Sequence, residues 1–168
     1  ILAQRRDPDQ YPELTYLGDA FGKIRLYREW SFGRHTAPRL PQKTDLPNDQ
    51  LEPDGSNLGL VLNRLRREPK AKKRLLEALR ALYDGIDDFD TLIEGGTVQV
   101  FLHEGRITVP ATRLSDGTLR YLLLVAALLT PRPPSLMVLN EPETSLHTDL
   151  LAPLARLIVR AGARSQII

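Results

Sequence analysis

The chain has 168 residues, 42% of them hydrophobic and 26% charged, with a formal net charge of +2. That length and composition suit one globular domain, or two small ones, able to bury a core without staples. Cysteine is absent, which excludes a disulfide scaffold, a thiolate zinc site and a thiol nucleophile, and fits a reducing, cytoplasmic setting. The longest apolar run covers residues 121–129, far short of the roughly 20 that a membrane span needs. No membrane association is expected. The opening Ile-Leu-Ala-Gln-Arg-Arg lacks the apolar stretch of a signal peptide. The chain starts at Ile1 and stops on Ile167-Ile168, so both ends read as cut.

Taken in order, residues 1–55 read as an irregular N-terminal segment with one short strand. In it, Ile24-Arg25-Leu26-Tyr27 alternates as a half-buried strand does. Pro38, Pro41, Pro47 and Pro53 then break any pattern. Residues 56–112 read as a helical pair plus a β-hairpin. Leu58, Val61, Leu62 and Leu65 mark one helical face, with Ser56 or Asn57 as the N-cap. Pro69 separates this helix from a second, marked by Leu75, Leu76, Leu79 and Leu82 and ended by Gly85. Residues 98–102 and 106–109 form the hairpin arms around Glu104-Gly105.

Residues 113–168 carry a different pattern. Residues 119–129 are apolar on nearly every face, which predicts a buried helix ended by Pro131. Leu136-Met137-Val138-Leu139 reads as a strand buried on both faces of a parallel sheet. A helix follows, with Leu150, Leu151, Leu154, Leu157 and Ile158 on one face and Gly162 at its end, and Gln166-Ile167-Ile168 starts another strand. The sum is a parallel β-α-β unit in an α/β fold.

Two constellations carry chemistry. Leu114-Ser115-Asp116-Gly117-Thr118 stands directly before the buried helix. Ser115 serves there as an N-cap and Gly117 as a turn residue. The same geometry offers a phosphate the positive end of a helix and a close approach. The second is the strand 136–139 followed by Asn140-Glu141-Pro142-Glu143-Thr144-Ser145-Leu146-His147. Ligands in open α/β sheets sit at the carboxyl ends of strands, where a carboxylate can orient or deprotonate a water.

Together the two resemble the signature and Walker B motifs of RecF/SMC-like ABC-type ATPases, a branch often described as AAA-type predicted ATPases. The stretch Asp54-Gly55-Ser56-Asn57-Leu58 and its leucine-rich helix are similar to that family as well. The likeness covers residues 50–168 well and 1–50 loosely, and implies a partial P-loop NTPase lobe of ABC type. It further implies that Ser115, Asp116 and Gly117 lie against the γ-phosphate of ATP held by a partner subunit. Glu141 becomes the general base or water-orienting carboxylate, position 140 the Mg²⁺ partner, and residues 144–147, His147 included, the D-loop. ATP would drive homodimerisation, and the work implied is DNA repair, chromosome maintenance or defence.

The sequence departs from that family twice. An acid is usual at position 140, where this chain has Asn140, a poorer Mg²⁺ ligand. No Gly-x-x-x-x-Gly-Lys-Ser/Thr occurs in the 168 residues. Gly18-Asp19-Ala20-Phe21-Gly22-Lys23-Ile24 is one residue short and ends on Ile24. The expectation is therefore a C-terminal piece of a longer ATPase, inactive alone. The rival reading is a non-catalytic interaction or DNA-binding module that kept the fold.

Charge is the remaining signal. Residues 63–80 hold Arg64, Arg66, Arg67, Lys70, Lys72, Lys73, Arg74 and Arg80 against Glu68 and Glu77, a net of +6. This is either a solvated helical face or a contact for DNA phosphates. No aromatic residues interleave, which argues against base stacking. His35, His103 and His147 lack metal-ligand spacing, and Tyr27 and Trp30 read as core or loop anchors.

Overall fold

Two sheets organise the protein in the computed structural model, which describes residues 7–28, 30–82 and 85–168. The hexapeptide read above for a leader lies outside the described residues, as do Glu29, Tyr83 and Asp84. The first sheet is parallel, in the order β1 (Ile24–Tyr27), β6 (Leu136–Leu139), β7 (Gln166–Ile167). The second joins β2 (Gln42–Lys43), β3 (Asp88–Glu94), β4 (Thr97–Glu104) and β5 (Ile107–Pro110), all antiparallel. β4 is its centre, with β3 on one side and β2 and β5 sharing the other.

Five helices complete the described structure: α1 (Pro12–Gly22), α2 (Leu58–Arg67), α3 (Pro69–Arg80), α4 (Asp116–Leu129) and α5 (Leu151–Gly162). α4 is the hub. Every residue from Leu119 through Leu128 is buried, and α2, α3 and α5 all pack on it. A helix that is apolar all round can only be stable when enclosed. Thr130 ends it in an extended conformation, as a residue before proline must.

β6, α5 and β7 form the expected parallel crossover. Met137 and Leu139 are buried, but Leu136 and Val138 are only half-buried, so the strand is not enclosed on both faces as its unbroken apolar run suggests. Leu151 is a second difference. It lies exposed, while Leu150, Leu154, Leu157 and Ala161 face the core. β3 was not announced by its sequence, Asp-Phe-Asp-Thr-Leu-Ile-Glu. Only Phe89 and Thr91 of it are buried, and pairing along all of β4 holds it.

The proline-broken segment is tied down by side chains. The Tyr27 hydroxyl donates to the Leu51 carbonyl at 2.9 Å, and Trp30 Nε1 donates to Pro53 O at 2.9 Å. Asn57 occupies the N-cap position of α2 but forms no cap bond. Its amide instead donates to Pro47 O and Gln50 O and accepts from Glu52 N, each at 2.8 Å. Gln42 donates to Ala37 O and Gly55 O and accepts from Gly59 N. Buried backbone groups that lack a ladder need such partners.

The Gly18 to Gly22 stretch lies on α1, which precedes β1. A phosphate-cradling loop lies between a strand and the helix it opens, whereas both glycines here fall within one helix.

Candidate functional site

The N-terminus of α4 and the chain after β6 meet at one place. Ser115 caps α4. Its Oγ accepts from Thr118 N at 3.0 Å and lies 2.8 Å from Thr118 Oγ1. Two residues on, Gly117 abuts the loop after β6. A Cβ built there would stand 2.6 Å from the Ser145 carbonyl oxygen. Glycine is thus required by a contact within the chain, because any side chain would strike backbone rather than a movable tip.

β6 delivers Asn140 and Glu141 to its carboxyl end. Asn140 N donates to Tyr27 O at 2.9 Å, extending the β1–β6 ladder by one bond. Both side chains are exposed. Glu141 adopts φ of 45° and Ser145 φ of 64°, conformations that cost a non-glycine residue about 1–3 kcal/mol each and persist where the surroundings impose them. Thr144 Oγ1 reaches Glu141 Oε2 at 3.4 Å, and Leu146 N donates to Glu143 O at 3.0 Å. His147 stands at the cap of the 3₁₀ turn Thr148–Leu150. Its Nδ1 lies 3.2 Å from the Asp149 carboxylate and 3.4 Å from Asp149 N.

Two arginines that the sequence reading passed over hold this site. Arg39, from the proline-broken segment, is 11% exposed. It donates from Nε to Phe32 O at 2.8 Å and from Nη1 to Leu114 O at 2.6 Å, and it pairs with Asp116. Nothing in the pattern around Arg39 distinguishes it from a solvated charge. Arg120 is buried within α4. It donates to Glu141 O at 3.2 Å, lies over the Phe32 ring at 5.7 Å, and leaves its Nε without a partner. Its signal was present in the sequence, as the one charge in the apolar run of residues 119–129.

Of the predicted residues, Ser115, Asp116 and Gly117 at the head of α4 lie against the loop that follows Asn140 and Glu141, and His147 sits on that loop beyond Ser145. The basic residues lie elsewhere, on α2 and α3. Arg66 pairs with Asp90, Lys72 with Asp88 at 3.4 Å, and Arg64 donates to Asn48 at 3.0 Å. Arg67, Lys70, Lys73 and Arg74 have no ion pair among the described residues.

The donor set at the tip of β6 is one carboxylate and one amide, and among the described residues no group of three His, Asp or Glu could hold a metal. It fits Mg²⁺ only as that ion is usually held, by substrate phosphates and waters with one or two protein ligands. Among the described residues, no helix is long and apolar enough to cross a membrane.

The parallel sheet and the helices around it make an α/β domain, and a family match over most of the chain puts it in the P-loop ATPase class. More particularly, the chain belongs to the family described as "AAA domain, putative AbiEii toxin, Type IV TA system", whose model matches residues 7–168. That family uses ATP and Mg²⁺. Among solved structures, the Smc head domain with a coiled coil and joint derived from Pyrococcus yayanosii is similar to it. The likeness covers 58% of this chain and 20% of that one, at 19% identity and a TM-score of 0.48. The chain spans about a fifth of the length of that structure. No curated protein matches the chain.

Proposed function

We propose that these residues form the signature and Walker B portion of an ATP-hydrolysing ABC-type ATPase of the RecF/SMC-like group. One observation carries the reading most: Gly117, at the head of α4, packs on the Ser145 carbonyl, just beyond Glu141. The candidate γ-phosphate contacts and the candidate catalytic carboxylate are therefore packed side by side, with Arg120 tying α4 to the Glu141 backbone.

In this reading Glu141 orients a water and accepts its proton as the γ-phosphoryl group leaves. Asn140 faces Mg²⁺ through a water. Ser115 and the first turn of α4 meet the γ-phosphate of ATP held by a second copy, so that ATP closes a homodimer. The Arg39 guanidinium offsets the Asp116 carboxylate, which would otherwise repel that phosphate. Walker A would be supplied by a segment other than these 168 residues. The setting is cytoplasmic work on DNA. Of repair, chromosome maintenance and defence, the family's description favours defence. DNA contact would fall to Arg67, Lys70 and Lys73, because Arg64, Arg66 and Lys72 already have partners and Arg74 lines a separate cavity.

The test is Ser115→Arg in the full-length protein. A bulky cation at the head of α4 should block ATP-dependent dimerisation, read by light scattering, while ATP affinity of the single subunit stays. If Ser115 is only a cap, its loss costs about 1 kcal/mol. Dimerisation would then survive while the melting temperature falls, and the signature assignment would be wrong.

A further inference from the structure

Away from the β6 tip, α3, α4 and α5 flank an open cavity of about 220 Å³. Its walls combine alanine and leucine side chains with Arg74 of α3 and Arg156 and Arg160 of α5. Arg156 and Arg160 are one helical turn apart, where like charges on one face are unfavourable. None of the three arginines forms a hydrogen bond or ion pair among the described residues. Among the described residues, Glu77 is the one acidic side chain in the lining. Tyr121 of α4 also lines the cavity, fully buried, and its hydroxyl has no hydrogen-bond partner.

An unpaired buried hydroxyl costs about 1–3 kcal/mol, and native structures rarely leave one without a reason. Burial pushes the Tyr121 phenol up to about 12, against the nearby charge of Arg156. It therefore stays protonated and able to donate at any physiological pH. The cavity thus offers three guanidinium groups without protein partners and an apolar wall, with the Tyr121 hydroxyl buried behind that wall.

We propose that this cavity binds a small phosphorylated molecule with an apolar body. The charge balance of the lining calls for more than one negative charge, and a phosphate monoester carries about −1.5 to −2 at neutral pH. Guanidinium groups match its oxygens with forked hydrogen bonds. The apolar wall accounts for the remainder of the ligand, as in most small-molecule sites. This site is separate from the proposed nucleotide contacts and stands whether or not those hold.

The probe is phenyl phosphate, titrated by calorimetry into the full-length protein with saturating ADP, so that any nucleotide site is already filled. One equivalent should bind. Arg156→Gln and Arg160→Gln, both at exposed positions, should each weaken binding at least about fivefold while leaving the circular dichroism spectrum unchanged. Benzyl alcohol, which lacks the phosphate, should not bind. The proposal is overturned if phenyl phosphate shows no binding up to about 10 mM, or if binding ignores the arginine variants. Displacement of the probe by duplex DNA would assign the arginines to a nucleic-acid surface instead.

Discussion

Replacing Gly117 with alanine separates two explanations of the glycine. The added Cβ would stand 2.6 Å from the Ser145 carbonyl oxygen, well inside the roughly 3.5 Å of an ordinary non-bonded contact. The obstacle is backbone, and Ser145 already sits at φ of 64°, so it has little room to rotate away. Overpacking of this kind costs about 1–3 kcal/mol, and a clash with backbone belongs at the upper end. Alanine returns up to about 1 kcal/mol through its better helix propensity. The expected net loss is about 1–2 kcal/mol. For a chain of this size that lowers the melting temperature by roughly 2–8 °C. The assay is thermal and urea unfolding of wild type beside Gly117→Ala. Gly162→Ala serves as the control, since it lies in α5 with nothing within 4 Å, and it should gain about 0.4–1 kcal/mol. If glycine at 117 serves only the approach of a partner's phosphate, Gly117→Ala will match or exceed wild-type stability. That result would refute the packing argument.

Arg39→Ala should cost about 2–3 kcal/mol, because it removes charge-assisted bonds and strands the Phe32 and Leu114 carbonyls. Arg39→Lys should recover less than half of this, since an ammonium cannot reach both carbonyls and Asp116 as a fork does; urea midpoints decide it. The protein should lose stability in alkali. Burial holds the Tyr121 phenol at about 12, against about 10 when unfolded. Its contribution is complete below pH 10, then shrinks as the unfolded form releases its proton first, and is gone above pH 12. The size is on the order of 2–3 kcal/mol. Absorbance at about 295 nm follows the ionisation, and Tyr121→Phe should flatten this part of the stability profile. In the full-length protein, Asn140→Asp should lower the Mg²⁺ concentration that gives half-maximal ATP hydrolysis, because a carboxylate binds Mg²⁺ better than an amide. An unchanged Mg²⁺ requirement would remove position 140 from the metal's surroundings.

Elements with strong periodicity were legible in the sequence. α4 reads as a buried helix, since residues 119–128 carry a single charge, Arg120, and no continuous polar face. The α2 and α5 faces, the β4–β5 hairpin and the parallel unit of β6, α5 and β7 follow from local pattern and short connections in the same way. The cap at Ser115 was readable because a serine before a helix satisfies an N–H only three residues away. In each case the determining interactions lie within a few residues.

Tertiary structure decided the remainder. α1 buries no residue, so no apolar stripe marks it, and β3 depends on pairing with β4. β1 joins the parallel sheet only through β6, whose partner residues lie more than a hundred positions away. The same holds for the site. Arg39 reaches Leu114 across 75 residues and Arg120 reaches the Glu141 carbonyl across 21, while Gly117 is fixed by the carbonyl of Ser145. A guanidinium reads alike whether it meets water or a buried carbonyl, and a glycine reads alike whether it serves a turn or a close contact. Local pattern records what a residue prefers. Only chain closure determines which backbone groups arrive beside it without a partner, and those groups gave Arg39, Arg120 and Gly117 their roles.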